Sequence, residues 1–318
     1  MRRIDNPKSP YDAQALEWLD EPPFAALEIH EERAKSILSE NSSPDLRFRY
    51  SLNPYRGCFH ACAYCYARPS HQYWGFGAGT DFERKLIVKL NAAELLRERF
   101  ERKDWCGETI AFSGNTDCYQ PLEAARRLTR ACLEVCAEYR NPVVVITKSA
   151  LIRRDIDLLV RLQTHASLRV FLSIPFNDDA QARAIEPGAS APSKRFAALH
   201  ALSQAGIDTG IALAPIIVGL NDSQLPKLLS RASEAGAKYA FKTALRLPRE
   251  VAQALRAAPA RGVSRRRRQS LERHHADSAR QKERERVRRS HARPRSALGV
   301  DRGHVRAALP ALGLEPGR

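Results

Sequence analysis

The chain has 318 residues, enough for one large α/β domain or two ordinary ones, and its 43% hydrophobic content suits a globular protein. The formal charge of +16 is unevenly placed: residues 253–318 hold 17 Arg and one Lys against six acids, which leaves a net +4 on the rest. This excludes a basic surface spread over the whole body, and no apolar run reaches the roughly 18 residues needed to span a membrane.

The N-terminus, M-R-R-I-D-N-P-K-S-P, lacks the apolar stretch of a secretory signal, so a cytoplasmic setting is expected. All seven cysteines lie between Cys58 and Cys136. In a reducing compartment such clustering points to metal binding or thiol chemistry rather than disulfides.

Residues 1–47 read as an N-terminal extension with one helical patch, Glu31–Ser39. From residue 48 to 250 short β-branched runs alternate with longer amphipathic stretches. Strands are expected at Tyr50–Leu52, Thr109–Ser113, Val143–Thr147, Arg169–Ile174, Asp208–Ala214 and Tyr239–Lys242. Helices are expected at Ala92–Phe100, Leu122–Tyr139, Ile152–Thr164, Ser193–Ala205 and Asp222–Ala235, where apolar residues recur at helical spacing.

Six such units predict an α/β fold, a partial (β/α)6 TIM-like barrel, because no G-x-G-x-x-G follows any strand to argue for an open dinucleotide-binding sheet. In a barrel of this kind chemistry gathers at the C-terminal ends of the strands. Residues 251–318 form an Arg-rich tail with no aromatic residue and no cysteine. Three readings of it stand open: a disordered solvated extension, an arm for nucleic-acid phosphates, and out-of-frame translation of a GC-rich gene.

The loop after the first strand reads N-P-Y-R-G-C-F-H-A-C-A-Y-C-Y-A-R-P-S and places Cys58, Cys62 and Cys65 in a C-x3-C-x2-C array. Three thiolates on one short loop suit three irons of a cubane cluster, with the fourth iron left open. A structural zinc ion wants a fourth ligand at characteristic spacing, and His60, squeezed between two cysteines, is badly placed to supply it.

With Tyr64 just before the last cysteine, this pattern resembles the signature of the radical S-adenosylmethionine (SAM) superfamily. The further stretches S-G-N-T-D-C-Y-Q-P-L-E, V-I-T-K-S, S-I-P-F and I-E-P-G resemble the spore photoproduct lyase-like branch, over about Ala34 to Pro248. The resemblance implies a 4Fe-4S cluster on Cys58, Cys62 and Cys65, with SAM on its open iron. It also implies reduction by a donor such as flavodoxin or ferredoxin, and a nucleic acid or nucleotide as the leading substrate class.

For SAM, the resemblance points to Tyr64, to Ser113, Gly114 and Asn115 at the second strand end, to Lys148 as a carboxylate partner and to Ser173 as a hydroxyl donor. Asp117, Tyr119, Gln120 and Glu123 are candidates for the substrate side, and Tyr55 and Arg56 for tuning the cluster. Lyases of this branch use a late cysteine to return a hydrogen atom, and this chain has none after Cys136. Cys118 is the remaining donor candidate. Cys106, Cys132 and Cys136 are expected to be buried. The rival reading is a nucleic-acid-binding protein with a structural metal loop and a basic tail.

Overall fold

The computed structural model describes residues 26–41, 48–247, 249–257 and 315–316. Its first elements depart from expectation. The stretch expected to be helical over Glu31–Ser39 carries two strands, β1 (Glu28–Glu32) and β2 (Leu38–Glu40). Each finds a partner: β2 pairs antiparallel with β3 (Tyr50–Leu52), and β1 pairs parallel with a later strand, so tertiary pairing overrides weak helical spacing.

After β3 comes a two-residue strand, β4 (Tyr55–Arg56), which pairs antiparallel with β5 (Lys85–Lys89). Strands β1, β5 and β4 make a small separate sheet. The cysteine loop leaves β4 and returns through the short helix α1 (Thr80–Arg84) into β5, so both its ends are fixed by one antiparallel pair.

From there the chain follows the alternation read in the sequence. Helix α2 (Ala92–Glu101) precedes β6 (Ile110–Phe112), and α3 (Glu123–Arg126) and α4 (Leu128–Glu138) precede β7 (Val143–Thr147). The single helix expected over Leu122–Tyr139 is interrupted at Arg127, whose φ of 51° is left-handed. Helix α5 (Ile156–His165) leads to β8 (Leu168–Ser173), α6 (Asp179–Ile185) and α7 (Pro192–Gln204) to β9 (Thr209–Ile216), and α8 (Leu225–Glu234) to β10 (Tyr239–Ala244).

Six strands, β3, β6, β7, β8, β9 and β10, run parallel in that order, with β2 antiparallel outside β3. A two-residue strand, β11 (Glu315–Pro316), pairs outside β10. Among the described residues β3 and β10 do not pair, so the architecture is a partial (β/α)6 barrel, as expected. Its strands read as continuous apolar runs, the pattern of parallel strands covered on both faces.

The main core lies between sheet and helices. Leu52, Phe112, Val145, Val170, Leu172 and Ile211 from the strands meet Leu96, Leu133, Leu159 and Leu199 from α2, α4, α5 and α7. Burying each large apolar side chain contributes about 1.5–3 kcal/mol, enough together to fix the register of the strands. Because all six strands point the same way, their C-terminal loops share one edge, and the cysteine loop lies there.

The domain boundary expected at residue 250 cuts through a helix. Helix α9 (Arg249–Ala257) buries Val251, Ala252, Ala254 and Leu255, so the structured body runs past that point. The segments 1–25, 42–47, 258–314 and 317–318 lie outside the described residues, and with them most of the Arg-rich tail and its three readings. No helix among the described residues is long and apolar enough to cross a membrane.

Candidate metal and cofactor site

The cysteine loop begins on a residue that must be glycine. Gly57 has φ +69°, and a Cβ there would lie 2.8 Å from Leu86 Cδ2 and 2.9 Å from the Phe82 carbonyl. Beyond it the loop folds on its own backbone: Cys58 N donates to Phe82 O (2.9 Å), Ala61 N to Cys58 O (3.2 Å) and Cys65 N to Cys62 O (3.2 Å). Cys58 and Cys62 are buried and Cys65 is half-buried.

Two side chains brace this loop from opposite sides. Arg68, with no exposed surface, donates to the carbonyls of Cys62 (3.0 Å), Ala78 (3.2 Å) and Gly79 (3.0 Å) and pairs with buried Glu83. Gln120 accepts from Phe59 N (3.0 Å) and donates to Gly57 O (3.3 Å), and the Thr116 hydroxyl donates to the same carbonyl (2.7 Å). The second strand-end loop, 113–120, is therefore welded to the cysteine loop.

A third brace comes from the I-E-P-G stretch after α6. Ala63 N donates to Ile185 O (2.9 Å) and Gly188 N to His60 O (3.0 Å). Between them the Tyr64 hydroxyl donates to Glu186, which pairs with Arg195. Tyr64 is thus held on its hydroxyl end, while Lys148 Nζ stands 5.6 Å from its ring centre.

Burial, with Asp117 and Cys65 nearby, pushes the Cys58 thiol up to about 12. Burial and the charge of Glu186 raise Cys62, and burial raises Cys65, with Lys148 opposing both. Left to themselves the three are neutral thiols that carry no disulfide. A bound cation is what would turn them into thiolates.

The donor set fits a cluster better than a single ion. The cysteines are close enough to feel one another's charge. Yet among the described residues no three His, Cys, Asp or Glu side chains converge tightly enough to hold one metal ion. His60 does not close the set: its Nδ1, buried and without a hydrogen bond, faces the Asp117 carboxylate at 3.3 Å.

Asp117 is the node of the strand-end loops. It accepts from the Thr147 hydroxyl (2.6 Å), Lys148 N (2.7 Å) and Tyr119 N (2.9 Å). Burial alone would raise this carboxyl, but His60 and the hydrogen bonds from Lys148 and Thr147 hold it well below the usual carboxylate range. Ser113 has φ +81°, a strained value for a residue with a Cβ, and its hydroxyl accepts from Cys118 N (3.0 Å). Asn53 Oδ1 receives the amides of Gly114 (2.9 Å), Asn115 (3.1 Å) and Thr116 (3.3 Å), leaving the Asn115 side chain exposed.

Ser173 is buried, and its hydroxyl donates to Ala214 O (3.1 Å). Half-buried Lys148 is close enough to Cys62 and Cys65 to lower their pKa. Cys118 does not fit the role of hydrogen-atom donor: it is 0% exposed and lies in the main core. Cys106, expected to be buried, is exposed, whereas Cys132 and Cys136 are buried.

Of the groups expected on the substrate side, Glu123 and Tyr119 have no exposed surface, and Tyr55 donates to Glu123 in the interior. Arg56 instead stacks over Trp74 at 4.2 Å. The residues that sequence reasoning passed over are the braces, Asn53, Arg68, Glu186 and Arg195. Three of them sit in stretches it did single out, Asn53 and Arg68 at either end of the cysteine loop and Glu186 in I-E-P-G.

Residues 52–232 match the model of the Radical SAM superfamily. Uncharacterized proteins of Mycobacterium tuberculosis and Mycobacterium bovis are 37% identical over 219 residues, 68% of this chain and 64% of theirs. The chain thus spans about two thirds of the length of those relatives. An uncharacterized protein of Methanocaldococcus jannaschii is 31% identical over 62% of this chain and 70% of its own. Among solved structures, spore photoproduct lyase complexed with dinucleoside spore photoproduct superposes with a TM-score of 0.55 at 15% identity, over 74% of this chain and 67% of that one.

Proposed function

The chain belongs to the radical SAM superfamily, and on that premise we propose that Cys58, Cys62 and Cys65 hold a 4Fe-4S cluster beside a SAM site at the strand ends. The observation that carries this reading is three buried or half-buried thiols, free of disulfides, on one loop braced from three sides. When bound, cluster and SAM together supply reductive cleavage of the sulfonium, giving methionine and a 5′-deoxyadenosyl radical able to abstract a hydrogen atom.

The chain's own residues orient and shield. Lys148, fixed through its backbone by Asp117, offers a cation to the methionine carboxylate. The loop 113–116, shaped by Asn53, presents polar groups to the amino group, and Ser173 keeps a lone pair to accept a hydrogen bond. Anaerobic reconstitution with iron and sulfide, then dithionite and SAM, is expected to release 5′-deoxyadenosine. Cys62→Ala should lose iron and cleavage together, and a colourless protein that retains zinc and leaves SAM intact would refute the proposal.

For substrate, a nucleic acid or nucleotide is the reading we favour. Tyr66, Tyr73 and Trp74, which follow the cysteine loop directly, are 61%, 71% and 42% exposed, and Arg56 stacks on the last of them. Exposed aromatics beside a cation suit stacked bases and phosphates. The chain has no cysteine after Cys136, and Cys118 is sealed in the core, so a lyase-type step on this substrate would draw its returning hydrogen from elsewhere.

A further inference from the structure

The Glu186–Arg195 pair is more than a brace. Both side chains are almost wholly buried, at 1% and 0% residue exposure. The other two Arg195 nitrogens donate to Ser173 O (2.8 Å) and Ser190 O (2.6 Å), so each nitrogen of the guanidinium is engaged. Replacing such a buried pair by apolar groups is often neutral or stabilising, so its stability contribution alone does not explain it.

Its position does. The backbone on either side of Glu186 is pinned to the cysteine loop through Ile185 and Gly188, and Gly188 has no room for a side chain, because a Cβ would lie 2.1 Å from Phe59 O. The carboxylate is bonded to the residue between two cysteines. Cys62 feels the charge of Glu186, and Arg195 feels that of Cys62. Charges in such a dry setting act with little screening.

Resting on the cluster reading above, we propose that Glu186 and Arg195 are positioning residues that also set the reduction potential at the Cys62 corner of the cluster, through two opposed buried charges and the hydroxyl of Tyr64. Charge and hydrogen bonding near the ligating sulfurs are the protein's levers on that potential. Removing the negative member leaves a positive charge beside the cluster and favours its reduced form. Removing the positive member does the reverse.

The test is a redox titration of the reconstituted full chain, read by electron paramagnetic resonance, with iron content measured alongside. Glu186→Gln, which keeps size and an acceptor for Tyr64, should shift the midpoint to more positive potential. Arg195→Met should shift it to more negative potential, and the double variant should return close to wild type. Should one single variant fail to fold, the other compared with the double variant decides. Iron-loaded variants with unchanged midpoints, or with shifts of the same sign, would overturn the inference. A wild-type chain that takes up no cluster would instead overturn the reading beneath it.

Discussion

The cysteine loop and the strand-end loops facing it are built on opposite plans. Around Cys58, Cys62 and Cys65 the carbonyls of Gly57, His60 and Cys62 are committed to Arg68, Gln120, Thr116 and the I-E-P-G strap. Across the site the Asn115 side chain is exposed and Lys148 is only half-buried. Rigidity is concentrated where thiols must be held at fixed spacing, and open groups where a small molecule must enter and leave.

The largest effect should come from breaking the rigid side. Arg68→Met leaves Glu83 buried without its partner and takes the guanidinium from the Cys62, Ala78 and Gly79 carbonyls, a loss of about 3–5 kcal/mol, measurable by chemical denaturation. Gly188→Ala should also strike here, since its methyl has no space against Phe59 O, and it should lower iron uptake more than it lowers the melting temperature. Equal losses in both would mean that the strap serves the whole fold rather than the loop.

Next comes the cap. Leu255 of α9 belongs to the apolar cluster that includes Cys62 and Tyr64. Leu255→Ala should cost about 2–4 kcal/mol and hasten bleaching of the reconstituted cluster in air. Truncation after residue 248, which removes α9, should do more damage than truncation after 257.

On the open side effects should be smaller in stability and larger in binding. Lys148→Met is expected to raise the apparent KM for SAM about ten-fold, a loss of roughly 1.4 kcal/mol, with the melting temperature nearly unchanged. Trp74→Ala should weaken single-stranded oligonucleotide binding by about 1–3 kcal/mol if bases stack there.

Beside the start of the cysteine loop, His71 provides a pH probe. Burial lowers it to about 4, against an unfolded value of about 6.5, so the unfolded chain binds the extra proton first. Its stability contribution is complete above pH 6.5 and is lost as pH falls toward 4, by about 2–3 kcal/mol in all. His71→Phe should flatten that slope in denaturation curves recorded across this range.

The six parallel strands were legible because each is a short β-branched run whose partners are its neighbours in sequence order, and Tyr50–Leu52 and Val143–Thr147 match their expected bounds. The small sheet was not, because β1, β4 and β5 are short, polar or charged at their ends, and exist through pairing between strands more than thirty residues apart in the chain. The three cysteines proposed to hold the cluster were legible from spacing alone. The braces were hidden, since Glu186 meets Tyr64 across 122 positions and only the fold brings them together. Cys118 misled for a related reason: its place in the second loop suggested the site, but its side chain turns into the core.

The central claim is that three thiols of one loop hold a cubane with an open iron. Electron paramagnetic resonance of the dithionite-reduced, reconstituted chain tests it most directly. The account predicts a signal of a reduced 4Fe-4S cluster whose shape changes when SAM is added, and its disappearance in Cys62→Ala. A signal indifferent to SAM, or one that survives in Cys62→Ala, would contradict it.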